Sequence, residues 1–396
     1  APYIAQAGGD IIFVHANSVY DSINFPADNS VTLTPSIRIL GEGSGVEHRI
    51  AVTSLGVIPV PRATTFVNRP TFLNSPGDAV TLVSGSTAVA SEFSGFVIGS
   101  SDPLLGPTSG PVGNGIVGNG LPGGLANVVV TQTDINFAGG DGILMSNVTG
   151  PVTFRGVRIN DPTGVGLHVT GGTGGITFGD DFVSGDQGEI VNSGDYALLI
   201  ENTLNGSFVN LTDSTITDTA GNGILIDNVA GTVTVDETTI NDGLITGIEV
   251  RSSTGSINFR GPINIDNPTN DAIFIHDMLG ASTTSFTQNA IVNITDRNAR
   301  GIYLLTNAGL VQFGGAVSIA DTAGSPDAAL EYQDSSGNAS FQNITINGGG
   351  GDGIVIGGIA PLLDNSGRFN ATGVTTISNV AGNGILITDD DADVSF

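Results

Sequence analysis

The sequence predicts an all-β solenoid: a right-handed parallel β-helix of about twelve to thirteen coils, with three short strands per coil. Three observations predict it. A small residue followed by apolar, any, apolar recurs at Gly142, Gly166, Ala197, Gly223, Gly247, Ala272, Gly301, Ala329, Gly353 and Gly384, in steps of 24 to 31 residues. A bulky apolar residue follows most of these anchors by twelve positions, at Phe154, Phe178, Val235, Phe259, Phe313, Phe341 and Phe396; Phe208, Phe286 and Phe369 lie one, two and four residues off that spacing. No stretch carries the period of an amphipathic helix, so βαβ units are excluded.

The first strand of each coil starts at the anchor. Side chains alternate along a strand, so in Gly223-Ile224-Leu225-Ile226 the two isoleucines face one way and Leu225 the other. The paired apolar positions run from Ile143/Met145 through Ile224/Ile226 and Ile273/Ile275 to Ile385/Ile387. The second strand carries the Phe ladder, as in Val152-Thr153-Phe154 and Ile257-Asn258-Phe259. A third follows, as in Val157-Arg158-Ile159 and Ile344-Thr345-Ile346. It often ends in Asn or Asp (Asn160, Asn192, Asp218, Asn241, Asp266, Asp296, Asp321, Asn347, Asn379), residues suited to tight corners because they tolerate the left-handed conformation. Equivalent strands then stack in parallel, and the rule for parallel crossovers makes the coil right-handed. Each coil rises about 4.8 Å.

Residues 1–140 fit the plan less regularly and read as N-terminal coils with long loops, continuous with regular coils over 141–396 in a single solenoid. Asp10-Ile11-Ile12-Phe13-Val14, Ser36-Ile37-Arg38-Ile39-Leu40, Ala79-Val80-Thr81-Leu82 and Gly115-Ile116-Val117-Gly118 read as strands. Residues 47–72 and 100–124 read as Pro/Gly/Ser-rich loops. The chain starts without Met and ends on the Phe ladder in mid-repeat, the pattern expected of a segment of a longer protein.

Composition narrows the partners. The 396 residues include 59 Gly, no Cys and no Trp; all eleven basic residues are Arg, against 38 acids. A net charge of −27 disfavours nucleic acid and anionic membranes, which need clustered cations. Without Cys there are no disulfides or thiolate metal sites. No run of about 18 apolar residues reads as a membrane span.

The opening Gly9-Asp10-Ile11-Ile12-Phe13-Val14, then Val31-Thr32-Leu33 and Ile37-Arg38-Ile39-Leu40-Gly41-Glu42-Gly43, resembles the first coils of the pectin-lyase-like right-handed parallel β-helix superfamily. The repeated Gly-Asn-Gly-Ile-Leu-Ile at 221–226 and 382–387 is similar to its usual coil sequence. The resemblance covers the whole chain and is most like bacterial surface β-helix repeat proteins. It implies the fold. For function it leaves polysaccharide lyases, hydrolases, phage tailspikes and surface proteins open.

Candidate chemistry is sparse. Gly179-Asp180-Asp181 resembles the double-Asp element of polygalacturonase-like hydrolases, but no Gly-His-Gly or Arg-Ile-Lys element follows. Asp180 and Asp181 are the carbohydrate or catalytic candidates if the chain is an enzyme; otherwise no catalytic residue is assigned. The outward anchor-strand positions read Leu144, His168, Leu199, Leu225, Glu249, Phe274, Tyr303, Glu331, Val355 and Leu386, mostly apolar or aromatic, which argues against a polar catalytic groove there. His168 reads as a surface residue. Leu144, Leu199, Leu225, Phe274, Tyr303, Val355 and Leu386 form a candidate interaction stripe, covered by the chain's own loops or by a partner. The pairs Arg155/Arg158 and Arg297/Arg300 read as ion pairs with neighbouring coils.

No cofactor is required. Calcium is the one ion the acidic segment Asp389, Asp390, Asp391, Asp393 suits, and Gly139-Gly140-Asp141-Gly142 and Gly350-Gly351-Asp352-Gly353 are similar to Gly-rich calcium turns without their tandem repeat. The expected function is a structural or adhesive extracellular or cell-surface rod. It would be part of a larger protein, with protein subunits or further coils as partners. A polysaccharide-binding or polysaccharide-cleaving β-helix is the alternative.

Overall fold

The computed structural model describes residues 11–15, 18–20, 30–33, 37–42, 48–52, 56–60, 69–73, 75–83, 91–100, 110–120, 128–179, 187–212, 214–217, 219–236, 239–241, 245–280, 282–321, 324–357, 365–388 and 393–396. The described residues form strands and turns, with no helix among them. The chain divides into two compact units: Ala1–His168 with Gly174–Ile190, and Val169–Thr173 with Val191–Phe396.

In the first unit the anchor strands Val31–Leu33, Val80–Leu82, Ile116–Asn119 and Ile143–Ser146 pair in parallel, each with the next coil. The Phe-ladder sheet runs Ile11–Val14, Arg38–Gly41, Ser91–Ser94, Val128–Thr131, Val152–Arg155 and Gly175–Phe178, again all parallel. The loop expected over 47–72 instead contains an antiparallel hairpin, His48–Val52 with Gly56–Val60, and the strand Thr71–Phe72.

The second unit carries eight anchor strands, from Leu198–Glu201 to Ile385–Thr388, paired in parallel and in register. Its Phe-ladder and third strands merge into single long strands at Leu310–Asp321 and Ala339–Gly348.

The small anchor residue has a steric cause. A Cβ at Gly142 would lie 2.3 Å from Ile159 Cγ2 and 2.7 Å from the Gly166 carbonyl oxygen; Gly247, Gly301 and Gly353 meet the same two obstacles. The third strand and the next coil both press against this position.

Inward residues fill the bore. Ile224, Ile226, Ile273 and Ile275 are fully buried, as are Phe259, Phe286 and Phe341. Phe259, Phe286, Phe313 and Phe341 stand in register on successive coils. Their rings stack at 4.6, 4.2 and 4.7 Å, within 10° of parallel. Phe208 breaks the expected ladder. It pairs with Thr232 and is 42% exposed, while Leu211, in register with Val235 and so with Phe259, takes the inward place.

Corners use the left-handed conformation. Asn192, Asp296 and Asn379 adopt positive φ at the end of the third strand, where Asn160 and Asp266 pass that role to Asp161 and Asn267. A second series, Asn147, Asn202, Asn228, Asp277 and Asp334, turns the chain after the anchor strand.

Candidate functional site

Each anchor strand has two outward positions. In the second unit the first gives Leu199, Leu225, Glu249, Phe274, Tyr303 and Glu331 on successive coils; the second gives Glu201, Asp227, Arg251, His276, Leu305 and Gln333, all in register. The residue just before the anchor adds Asn222, Asp271 and Arg300 to the same face. Parallel stacking therefore brings charged residues about one coil apart in sequence into contact.

Glu249 is the centre of one cluster. Its Oε2 accepts a hydrogen bond from Asn222 Nδ2 at 2.5 Å. Its Oε1 accepts from Arg251 Nη1 at 3.1 Å and faces His276 Nε2 at 3.0 Å. Arg251 Nη2 donates to Asp227 Oδ2 at 2.9 Å. The other nitrogen of His276, Nδ1, faces Asp277 Oδ2 at 2.8 Å, and Thr306 Oγ1 donates to Asp277 Oδ1. Both ring nitrogens face carboxylates, which suits an imidazolium. Burial opposes that charge most strongly, but Glu249 and Asp277 outweigh it and raise the His276 pKa above its usual value. Burial likewise works to raise Glu249, yet His276, Arg251 and Asn222 together hold it below the ordinary carboxylate range.

A stack of planar groups adjoins this cluster. The Phe274 ring lies 4.0 Å from the His276 ring and 5.0 Å from Tyr303, nearly parallel to both. The Arg300 guanidinium sits 3.5 Å over Tyr303. Arg300 also grips Asp271 through Nε at 2.8 Å and Nη2 at 3.2 Å, and reaches Glu331 from Nη1 at 3.4 Å. The Tyr303 hydroxyl donates to Gln333 Oε1 at 2.7 Å. Burial pushes its pKa up to about 12, so it stays a neutral donor. Burial also raises Glu331, with Arg300 opposing.

Glu249 and Glu331, the two carboxyls at the first outward position, do not form an acid/base pair. Glu249 is ionised and engaged at both oxygens. Glu331, the carboxyl that burial favours protonated, lies three coils away, about 14 Å at the strand spacing. Acid/base carboxylate pairs in glycosidases sit within about 10 Å of each other. Counting only the first outward position hides much of this face, because Asp227, Arg251 and His276 fall on the second and Asp271 and Arg300 just before the anchor.

The other candidates are placed as follows. Leu225 and Tyr303 of the stripe are buried, Leu199 is almost so, and Phe274, Val355 and Leu386 are half-buried; Leu144, in the first unit, is half-buried beside Val117. His168 Nδ1 lies 3.0 Å from Asp141 Oδ2, largely shielded from solvent. Asp141 Oδ1 accepts the Val165 backbone N–H at 2.9 Å, and Asp352 Oδ1 accepts the side-chain amide of Asn383 at 3.1 Å. The Gly-Gly-Asp-Gly elements thus tie one coil to the next. Arg158 pairs with Glu189 at 2.6 Å, and the second arginine pair also reads as ion pairs: Arg300 as above, and Arg297 with Asp321 at 3.7 Å. Asp180, Asp181, Asp389, Asp390 and Asp391 lie outside the described residues; Asp393 pairs with Arg368 at 2.8 Å. Among the described residues no group of three or more His, Asp or Glu is placed to hold a metal ion. No described helix is long and apolar enough to cross a membrane.

A family model agrees with the fold. Residues 113–263 match the family model described as the right handed beta helix region. The mannuronan C-5 epimerase AlgE4 A-module of Azotobacter vinelandii is similar at 12% identity and a TM-score of 0.47, over 98% of this chain and 92% of that one. The Siphovirus 9NA tailspike receptor binding domain is similar at 10% identity and a TM-score of 0.22, over 98% of this chain and 71% of that one. Likeness at this level lends the chain no activity. No curated protein matches the sequence. With parallel strands stacked coil on coil and the family match over 113–263, the chain is a parallel β-helix whose residues 113–263 are similar to the right handed beta helix region.

Proposed function

We propose that this chain is a structural and adhesive β-helix of an extracellular or cell-surface protein that holds a polysaccharide on the anchor face of its second unit without cutting it. One observation carries the reading: the charged groups of that face are closed on one another beside the half-buried Phe274 ring, which stacks on the buried Tyr303. Glu249, His276, Arg251 and Asp227 form one such network, and Asp271, Arg300 and Glu331 a second. Such a face is preorganised, so little ordering cost opposes binding. It also keeps hydrogen-bonding capacity for hydroxyls. Arg251 has five N–H donors and spends two bonds on Asp227 and Glu249. The Phe274 ring edge supplies the apolar contact.

The test is affinity electrophoresis through gels cast with neutral or acidic polysaccharides, with end-group analysis of the same polymers. Retardation by at least one polymer, lost in Arg251→Ala and Phe274→Ala and without new reducing or unsaturated ends, is the expected result. Cleavage at enzyme-like rates, abolished by substituting Asp180 or Asp181, would replace this reading with the enzymatic one.

A further inference from the structure

The chain contains six Asn-Gly steps: Asn114–Gly115, Asn119–Gly120, Asn205–Gly206, Asn222–Gly223, Asn347–Gly348 and Asn383–Gly384. In such a step the glycine backbone nitrogen can attack the asparagine Cγ, because no side chain on the glycine obstructs the approach. Two freedoms are needed. The asparagine amide must swing toward the following nitrogen, and that nitrogen must not be bound into the next coil.

Coil stacking removes one or both freedoms at five steps. Gly115 N donates to Asp141 O at 3.0 Å, and the Asn114 side chain is fixed between Asp78 and Asp141. Gly120 N donates to Ser146 O at 3.0 Å. Gly223 N donates to Thr246 O at 2.9 Å, and Asn222 is buried with its amide on Glu249. Asn347 lies in a strand paired on both sides and accepts from Asn379 at 2.7 Å. Asn383 places both its backbone N–H and its side-chain amide on Asp352 Oδ1.

Asn205 differs on every count. It is exposed, in a turn at Leu204–Ser207 closed by one hydrogen bond, Ser207 N to Leu204 O at 3.1 Å. Gly206 has φ +92°, and nothing lies within 4 Å of where its Cβ would be. Among the described residues neither the Asn205 side chain nor the Gly206 N–H makes a hydrogen bond. The flanking Leu204 and Phe208 are 55% and 42% exposed, so the turn is not packed under a neighbour.

We propose that Asn205 is a self-modifying site, where the chain deamidates and isomerises by reaction with water. Gly206 N loses its proton to solvent and bonds to Asn205 Cγ; the Cγ–Nδ2 bond breaks and ammonia leaves. Water then opens the resulting succinimide at either carbonyl, giving aspartate or isoaspartate. No electrons are transferred, and each event adds one negative charge. The product sets a carboxylate between two exposed apolar side chains, and the iso form adds a backbone carbon to the corner.

The experiment incubates the full chain in warm, mildly alkaline buffer and maps peptides by mass spectrometry, with released ammonia measured in parallel. Asn205 should convert first, and each of the other five at least about fivefold more slowly, the factor that opening one further hydrogen bond implies. In urea, where the coils are open, the six rates should converge. Asn205→Gln should remove most early ammonia release with an unchanged melting temperature. Equal conversion at all six sites in the folded chain, faster conversion at Asn383, or undiminished ammonia release from Asn205→Gln would overturn the assignment.

Discussion

Replacing Phe208 and Leu211 separately by alanine tests the register of the second unit. The spacing of aromatic residues places Phe208 on the inward ladder, whereas the strand register places Leu211 there, opposite Val235. Leu211 is fully buried and Phe208 is 42% exposed. Truncating a fully buried leucine costs about 2–5 kcal/mol, from lost transfer free energy plus the cavity. Truncating an outward residue this exposed should cost about 0.5–1 kcal/mol, near the surface range. A ladder phenylalanine would instead cost about 3–5 kcal/mol. Urea unfolding followed by circular dichroism measures the difference, with the midpoint read at unchanged slope. Leu211→Ala should have the clearly lower midpoint. A larger loss from Phe208→Ala would refute the register and the alternation argument beneath it.

Two further outcomes follow from the structure and a third from the sequence. The His276 pKa is raised, so its contribution is complete below about pH 6.5 and fades as pH climbs through its folded value; Glu249 is lowered, so its contribution is complete above about pH 4.5 and fades as pH falls through its folded value. Stability from this pair should therefore plateau between these limits, and His276→Gln should remove the alkaline decline; a melting-temperature difference between wild type and variant that stays flat from about pH 5 to pH 8 would contradict it. Arg297 and Asp321 are both fully buried. Burial lowers the arginine's pKa, and among the described residues Arg297 Nε and Nη2 make no hydrogen bond, while Nη1 donates to the Ala299, Asp327 and Ala328 carbonyls. Asp321 meanwhile accepts the Gly324 and Ser325 N–H groups. Asp321→Ala should thus cost about 3–5 kcal/mol and Arg297→Met much less, and the reverse order in denaturant midpoints would refute this. From the sequence alone we propose that the acidic segment Asp389, Asp390, Asp391 and Asp393 holds calcium; the ion should then raise the melting temperature, since a ligand of the native state alone stabilises it, and melting unchanged by calcium or chelator rejects it.

Much of the fold was legible because each coil imposes the same steric demand at the same place. Gly142 must be small, as a Cβ there would strike Ile159 and the Gly166 carbonyl, and that demand repeats at Gly247, Gly301 and Gly353. The His48–Val60 hairpin was not legible. It pairs with itself rather than with a neighbouring coil, so no coil-length period marks it, and its prolines read as loop. The polar face was half legible. Glu249 was visible as an outward residue, but its partners Asn222 and His276 are each 27 residues away, a distance meaningful only once the coil register is known. Phe208 misleads for a related reason: the turn at Leu204–Ser207 shifts the register, and composition alone cannot show which of Phe208 and Leu211 faces inward.

The most direct test of the central claim is to recover a retained polysaccharide after prolonged incubation with the protein and measure its length by size-exclusion chromatography. The account predicts polymer that is bound by the wild type, released by the Arg251→Ala variant and unchanged in length. Polymer shortened by the wild type, or bound equally well by the variant, would contradict it.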